Sequence, residues 1–162
     1  MTILSVTGHR PARLGGYGDT VNGRLHALAH RVLGERSPKL VLTGMALGWD
    51  QAIARAAHDL DIPFHAYIPF SGQEARWPDH ARRRYEKLLA VAEKQVHVSP
   101  AYSPAALFQR NEAMVRDSDE VVALYDGSGK GGTAHCVAFA RRLGKPVLNV
   151  YAMWLEMAQS GR

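Results

Sequence analysis

The chain has 162 residues, enough for one domain with a proper core. Its 20 Lys and Arg against 15 Asp and Glu give +5 with the histidines neutral, a surplus that suits a nucleotide or sugar phosphate and is too small to demand a nucleic acid. A single cysteine, Cys136, excludes an internal disulfide and a Cys-based zinc cluster, and the sequence opens with no basic-then-apolar leader and holds no run long enough to span a bilayer, so a soluble cytoplasmic protein is expected.

The first apolar run, residues 3–6, is too short for a helix and reads as a buried strand. Val21, Leu25, Leu28, Val32 and Leu33 then share one helical face, which Gly34 closes. After a second strand at 40–42 comes a narrow stripe of Ile53, Ala56, Ala57 and Leu60, whose small side chains suit close packing of a helix on a sheet. Ile62-Pro63 hands over to a strand at 64–68, and Ala81, Tyr85, Leu88, Leu89 and Ala92 mark the next helix before a strand at 96–98. Leu107, Met114 and Val115 indicate a fourth helix, residues 121–124 a fifth strand, and Ala134, Val137 and Ala138 a fifth helix. Gly144-Lys145-Pro146 precedes a sixth strand at 147–150, and a short terminal helix is expected to pack through Trp154 and Leu155. Strict alternation of strand and helix predicts an α/β, Rossmann-like fold: a mainly parallel sheet with helices on both faces, in a single domain over residues 1–162.

In such sheets ligands bind beyond the carboxyl ends of the strands, where the strand order reverses. The loop at residues 125–133 follows a strand and opens a helix, so its backbone N–H groups and the helix dipole face incoming anions, and its four glycines let the chain approach a phosphate. Gly127, Gly129 and Gly132 match G-x-G-x-x-G, but no acidic residue ends the following strand, which argues against an ordinary dinucleotide site. Lys130 is followed by Gly131 rather than Ser or Thr, so the loop is not a Walker A motif either. Gly129, Gly131, Gly132 and Thr133 are the phosphate-binding candidates here. After the first strand, Gly8 allows a tight turn while His9 and Arg10 offer donors to a phosphate or base. The segment Gly15-Gly16-Tyr17-Gly18 reads as a cover over the site. Gly44 turns the chain after the second strand, and Asp50 serves either the helix N-terminus or a ligand. After the third strand, Gln73, Glu74 and Trp77 supply hydrogen-bonding and stacking groups for a base or sugar, with Trp77 alternatively packing its loop onto the body. Arg82-Arg83-Arg84 reads as a solvated helix face.

Taken in order, Gly8-His9-Arg10, Gly44 to Asp50, Gln73 to Trp77, Arg110-Asn111 with Met114, and Gly131-Gly132-Thr133 resemble the YpsA-like branch of the SLOG superfamily, which also holds DprA and the LONELY GUY phosphoribohydrolases. The resemblance runs from Ile3 to about Val150. It implies a Rossmann-like fold that binds a nucleotide or a nucleotide-derived, ADP-ribose-like small molecule, with Arg110 and Asn111 in the site and a homo-oligomer in which the helix face from Leu107 to Val115 is one contact. In the phosphoribohydrolases a catalytic Glu lies three positions beyond the motif's Thr. Laid on Thr133, that position is Cys136, whose thiol is mostly neutral near pH 7 and a poor substitute for a carboxylate beside a cationic sugar. The leading expectation is therefore a binding or sensing domain with no metal and no resident cofactor. The alternative is a nucleotide N-glycosyl hydrolase or transferase that draws its carboxylate from Asp126 or Glu74. A DprA-like single-stranded DNA binder ranks third, because the chain offers too little basic charge and too few aromatics.

Overall fold

A computed structural model describes residues 2–160. Six strands, β1 (Ile3–Gly8), β2 (Leu40–Thr43), β3 (Phe64–Phe70), β4 (Lys94–Ser99), β5 (Glu120–Leu124) and β6 (Val147–Asn149), form one sheet in the order β4-β3-β2-β1-β5-β6. Every neighbouring pair is parallel. The helices between them are α1 (Asp19–Arg36), α2 (Trp49–Asp59), α3 (Asp79–Val91), α4 (Pro104–Asp117) and α5 (Gly132–Arg142), with α6 (Tyr151–Gln159) at the end and a 3₁₀ turn at Pro11–Arg13.

The chain builds outward from β1 to β4, then crosses back through α4 to lay β5 on the other side of β1. That reversal places the topological switch between β1 and β5, whose register runs from Leu4 opposite Glu120 to Gly8 opposite Leu124. Strand alternation divides the interior in two. Leu4, Val6, Val41, Phe64, Ala66, Ile68, Val122 and Leu124 face the larger core, with the buried stripes of α1 and α2 and Trp154 of α6. Leu42, Tyr67 and Val121 point the other way, toward Met114 and Val115 of α4 and Cys136 and Phe139 of α5. On this thinner side two buried hydroxyls, Ser5 and Ser118, pair at 2.9 Å.

Several sequence expectations need correction. Leu155 and Leu60 are 43% and 38% exposed, so the terminal helix packs through Trp154 alone of the two named residues, and the α2 stripe ends at Ala57. On the helix face from Leu107 to Val115, Met114 and Val115 are consumed inside the chain, so neither of these two is open to a contact between copies. At the sheet edges, β4 begins at Lys94, ahead of its apolar residues, and β6 is three residues long. The Lys145–Pro146 segment leads into β6, where Pro146 O accepts from Val121 N. No helix among the described residues is long and apolar enough to cross a membrane.

Candidate functional site

Beyond the carboxyl ends of β1 and β5 the chain leaves a cavity of about 350 Å³. Gly8 ends β1 against α2: a Cβ there would lie 2.5 Å from Cδ1 of the buried Trp49, so only glycine lets the strand pass the indole. His9, 5% exposed, turns toward the glycine loop, its Nε2 lying 3.0 Å from the backbone N of Asp126. From the 3₁₀ turn, Arg13 donates to Asp126 Oδ2 at 2.7 Å and to Ser128 Oγ at 3.0 Å. The loops after β1 and β5 are thereby laced together at the switch point.

Gly131 is the N-cap of α5, at φ +98° and with no side-chain cap, so the first N–H groups of α5 stay free for an outside acceptor. Gly131, Gly132 and Thr133 line the cavity beside Lys130, Arg10 and Arg13. A helix N-terminus and three cations thus surround one space, an arrangement that attracts an anion. Gly129 does not line the cavity; it belongs to the outer part of the loop.

The floor is polar. Arg110, 4% exposed, donates from Nη1 to Gly44 O at 2.8 Å and from Nε to Asn111 Oδ1 at 2.8 Å. Gly44 is required for this: its Cβ would fall 2.4 Å from Arg110 Nη1. The carbonyl of Gly44 also accepts from Gln73 Nε2 at 3.2 Å, which in turn reaches the Tyr85 hydroxyl at 3.1 Å. Asn111 Nδ2 lies 3.5 Å from Gly132 O, joining the floor to the glycine loop. Asp50, the second residue of α2 and 6% exposed, lines the cavity and accepts from Ala46 N at 3.3 Å. Burial pushes its carboxyl above the usual range, opposed by the charges of Arg110 and Arg10. Burial likewise pulls the Arg110 guanidinium below its ordinary value, opposed by Asp50.

A second cavity of about 340 Å³ adjoins the first and shares Arg10 and Leu107 with it. Its walls are aromatic and apolar: Tyr17 from the glycine-rich segment, Phe70 at the end of β3, Leu47 and Trp77. Trp77 stands edge-on to Tyr85 at 5.2 Å, so it both packs its loop and walls the cavity. Phe70 meets Tyr102 edge-on at 5.1 Å, and the 65%-exposed Tyr102 lines the first cavity.

The structure therefore gathers Gly8, His9, Arg10, Asp50, Arg110, Asn111, Gly131, Gly132 and Thr133 around one cavity, and Gln73 and Trp77 around its neighbour. Gly44 acts from beneath. Neither Asp126 nor Glu74 lines either cavity. Asp126 is engaged by Ser128, whose backbone N–H and hydroxyl hold its carboxyl well below the usual range, with His9 adding to the effect. Cys136, 2% exposed, sits under the floor beside Thr7, and burial raises its thiol to about 11. Sequence reasoning passed over Arg13, Tyr102 and Phe70, whose places depend on which loops meet.

Relatives of this chain are found among bacterial proteins. It is 31% identical over 137 residues to the uncharacterized SPbeta prophage-derived protein YoqJ of Bacillus subtilis strain 168, covering 74% of this chain and 79% of that one. To the UPF0398 protein YpsA of the same organism it is 26% identical over 154 residues, covering 88% and 86%. Among solved structures, the molybdenum cofactor binding protein of Rippkaea orientalis superposes with a TM-score of 0.59 at 20% identity, over 98% of this chain and 82% of that one. DNA processing protein A of Helicobacter pylori, described with a single-stranded DNA binding mode, gives 0.62 at 17% identity, over 97% and 73%. These structures share the fold. The YspA SLOG family model matches residues 4–148, and the chain belongs to that family.

Proposed function

We propose that the protein binds a nucleotide or nucleotide-derived metabolite of the ADP-ribose kind. Its phosphate would lie against Gly131, Gly132, Thr133 and Lys130, and its ring would lie between Tyr17, Phe70 and Trp77. One observation carries this reading: two cavities of similar volume meet at Arg10 and Leu107, one ringed by cations and helix N–H groups and the other by aromatic side chains. A ligand with an anionic end and a planar end fits that division. Proteins of the same fold described as binding a molybdenum cofactor in one case and single-stranded DNA in another support a ligand-binding role in general.

The test is a thermal-shift and calorimetric panel of AMP, ADP, ADP-ribose and inorganic phosphate against the full chain. A ligand that binds only the native state raises the apparent Tm in proportion to its occupancy. ADP-ribose should shift Tm more than phosphate alone, and Trp77→Ala should remove the difference between them. Equal shifts from phosphate and ADP-ribose would leave the aromatic cavity without a role and refute the reading.

One observation favours an enzymatic alternative, N-glycosidic cleavage of a nucleotide: Asp50 is a buried carboxyl lining the cavity, and burial pushes its pKa above the usual carboxylate range, as suits a group that exchanges a proton with a reacting atom. Free base released from a nucleoside monophosphate, and lost in Asp50→Asn, would establish turnover in place of simple binding.

A further inference from the structure

His26 and His30 stand one turn apart on α1, so both imidazoles project from the same side of the helix. Their rings are 4.5 Å apart between centroids. Across from them Asp59 is the last residue of α2, at the helix end remote from the crevice, which opens at the N-terminal ends. Each Nε2 lies 3.1 Å from the same atom, Asp59 Oδ2. Two imidazole nitrogens and one carboxylate oxygen all fall within 4.8 Å of one another.

We propose that His26, His30 and Asp59 form a binding site for a divalent transition-metal ion of the Zn²⁺ type, which clips α1 to the end of α2. Around Zn²⁺, bonds of roughly 2.0–2.1 Å place neighbouring tetrahedral ligands about 3.3 Å apart. Both nitrogen–oxygen separations of 3.1 Å are close to that edge. The side chains of His26, His30 and Asp59 are 21%, 37% and 40% exposed, which leaves an open side for water to complete the coordination. Two imidazoles with one carboxylate suit Zn²⁺ and its transition-metal neighbours; Mg²⁺ and Ca²⁺ prefer oxygen donors throughout.

Metal ligands must be deprotonated. Partial burial pushes His26 below its ordinary value, with Arg55 and His30 acting in the same direction and Asp59 against them. The hydrogen bond from His30 holds Asp59 below the usual carboxylate range. Arg55, one turn before Asp59 on α2 and exposed, is the charge that opposes a cation here, and its removal should tighten binding.

The test titrates the metal-free full chain with ZnCl₂ by calorimetry, with Co²⁺ absorption reporting the donor set and MgCl₂ as comparison. One Zn²⁺ per chain is expected, with a rise in Tm that Mg²⁺ does not reproduce. Losing an outer-shell partner alone costs a metal site roughly 10–100-fold, so His26→Ala/His30→Ala should weaken Zn²⁺ by at least that factor. Asp59→Asn, an exposed and nearly isosteric change, should also weaken it and serves if the double variant folds poorly. Arg55→Ala should strengthen it, while His65→Ala and His97→Ala should leave it unchanged. No stoichiometric uptake by the unmodified chain would show that the cluster is an ion pair and nothing more. Uptake that survives both the double variant and Asp59→Asn would place the ion elsewhere. Either result overturns the proposal.

Discussion

Arg110→Ala tests whether the floor of the crevice is held by a buried charge. The substitution deletes the 2.8 Å hydrogen bond to Gly44 O, a bond from a charged donor worth about 1.5–3 kcal/mol. Gly44 O keeps its 3.2 Å partner in Gln73, so the carbonyl is not orphaned. Asp50 loses the larger of the two charges that offset its burial. Removing one partner of a buried pair costs up to about 3–5 kcal/mol, but a carboxyl that can take up a proton pays less. A loss of about 2–4 kcal/mol at neutral pH follows, or a fall in Tm of roughly 4–16 °C for a chain of this size. The pH dependence separates this cause from simple loss of packing. Because burial raises the folded-state pKa of Asp50 above its unfolded value, its contribution to stability is fully present below the unfolded pKa and is lost as pH rises through the folded one. Removing Arg110 raises the folded pKa further, so the variant should be penalised more at pH 7 than at about pH 5. Asp50→Asn in the variant background should recover part of the loss at pH 7. Urea melts of the three proteins across this range provide the measurement. A penalty that is flat with pH and untouched by Asp50→Asn would refute the coupling, and a nearly silent Arg110→Ala would refute the buried role altogether.

Gly131→Asp meets open space but a backbone at φ +98° and ψ 178° that only glycine adopts readily, so it should fold with a loss of about 1–3 kcal/mol while abolishing ADP-ribose binding in calorimetry; unchanged affinity would remove the glycine loop from the site. Cys136, with its thiol raised to about 11 by burial, should react with a disulfide reagent no faster than the chain opens, and prompt labelling of native protein would contradict its place beneath the floor. Asp126 is held below the usual carboxylate range by Ser128 and His9, so its tether is present at neutral pH and lost as pH falls through its folded-state pKa. Asp126→Asn should therefore speed amide exchange across residues 127–131 at pH 7, and exchange equal to the parent's would show that the tether does not order the loop.

The sheet was legible because its inner strands are short apolar runs that nothing else explains; the Rossmann-like reading rested on Ile3 to Val6, Val121 to Leu124 and their equivalents. The edge was harder to see. Lys94 and Gln95 pair with His65 and Ala66 as part of β4, yet as polar residues they carry no strand signal of their own. The glycine loop and the segment from Gly8 to Arg10 were visible because strand, turn and helix start are all local. Arg110 was not legible as a buried residue: it stands in the polar run Gln109-Arg110-Asn111-Glu112, and the space it fills exists only because Gly44, far away in sequence, has no side chain. The same holds for Arg13, whose partners Asp126 and Ser128 arrive from the opposite end of the chain. Patterns along a sequence report faces of single elements, and contacts between loops are set by topology.

The two margins of the sheet bear on how copies of this molecule can meet. An unpaired strand is a template for another chain's strand, and proteins guard it by making it short or by charging it. Here β6 offers three residues, introduced by Pro146, and β4 carries Lys94, Gln95 and His97 along its length. Neither margin invites a continuous intermolecular sheet. Self-association would then have to use side-chain surfaces, and concentrated solutions should resist the edge-to-edge growth that leads to fibrils.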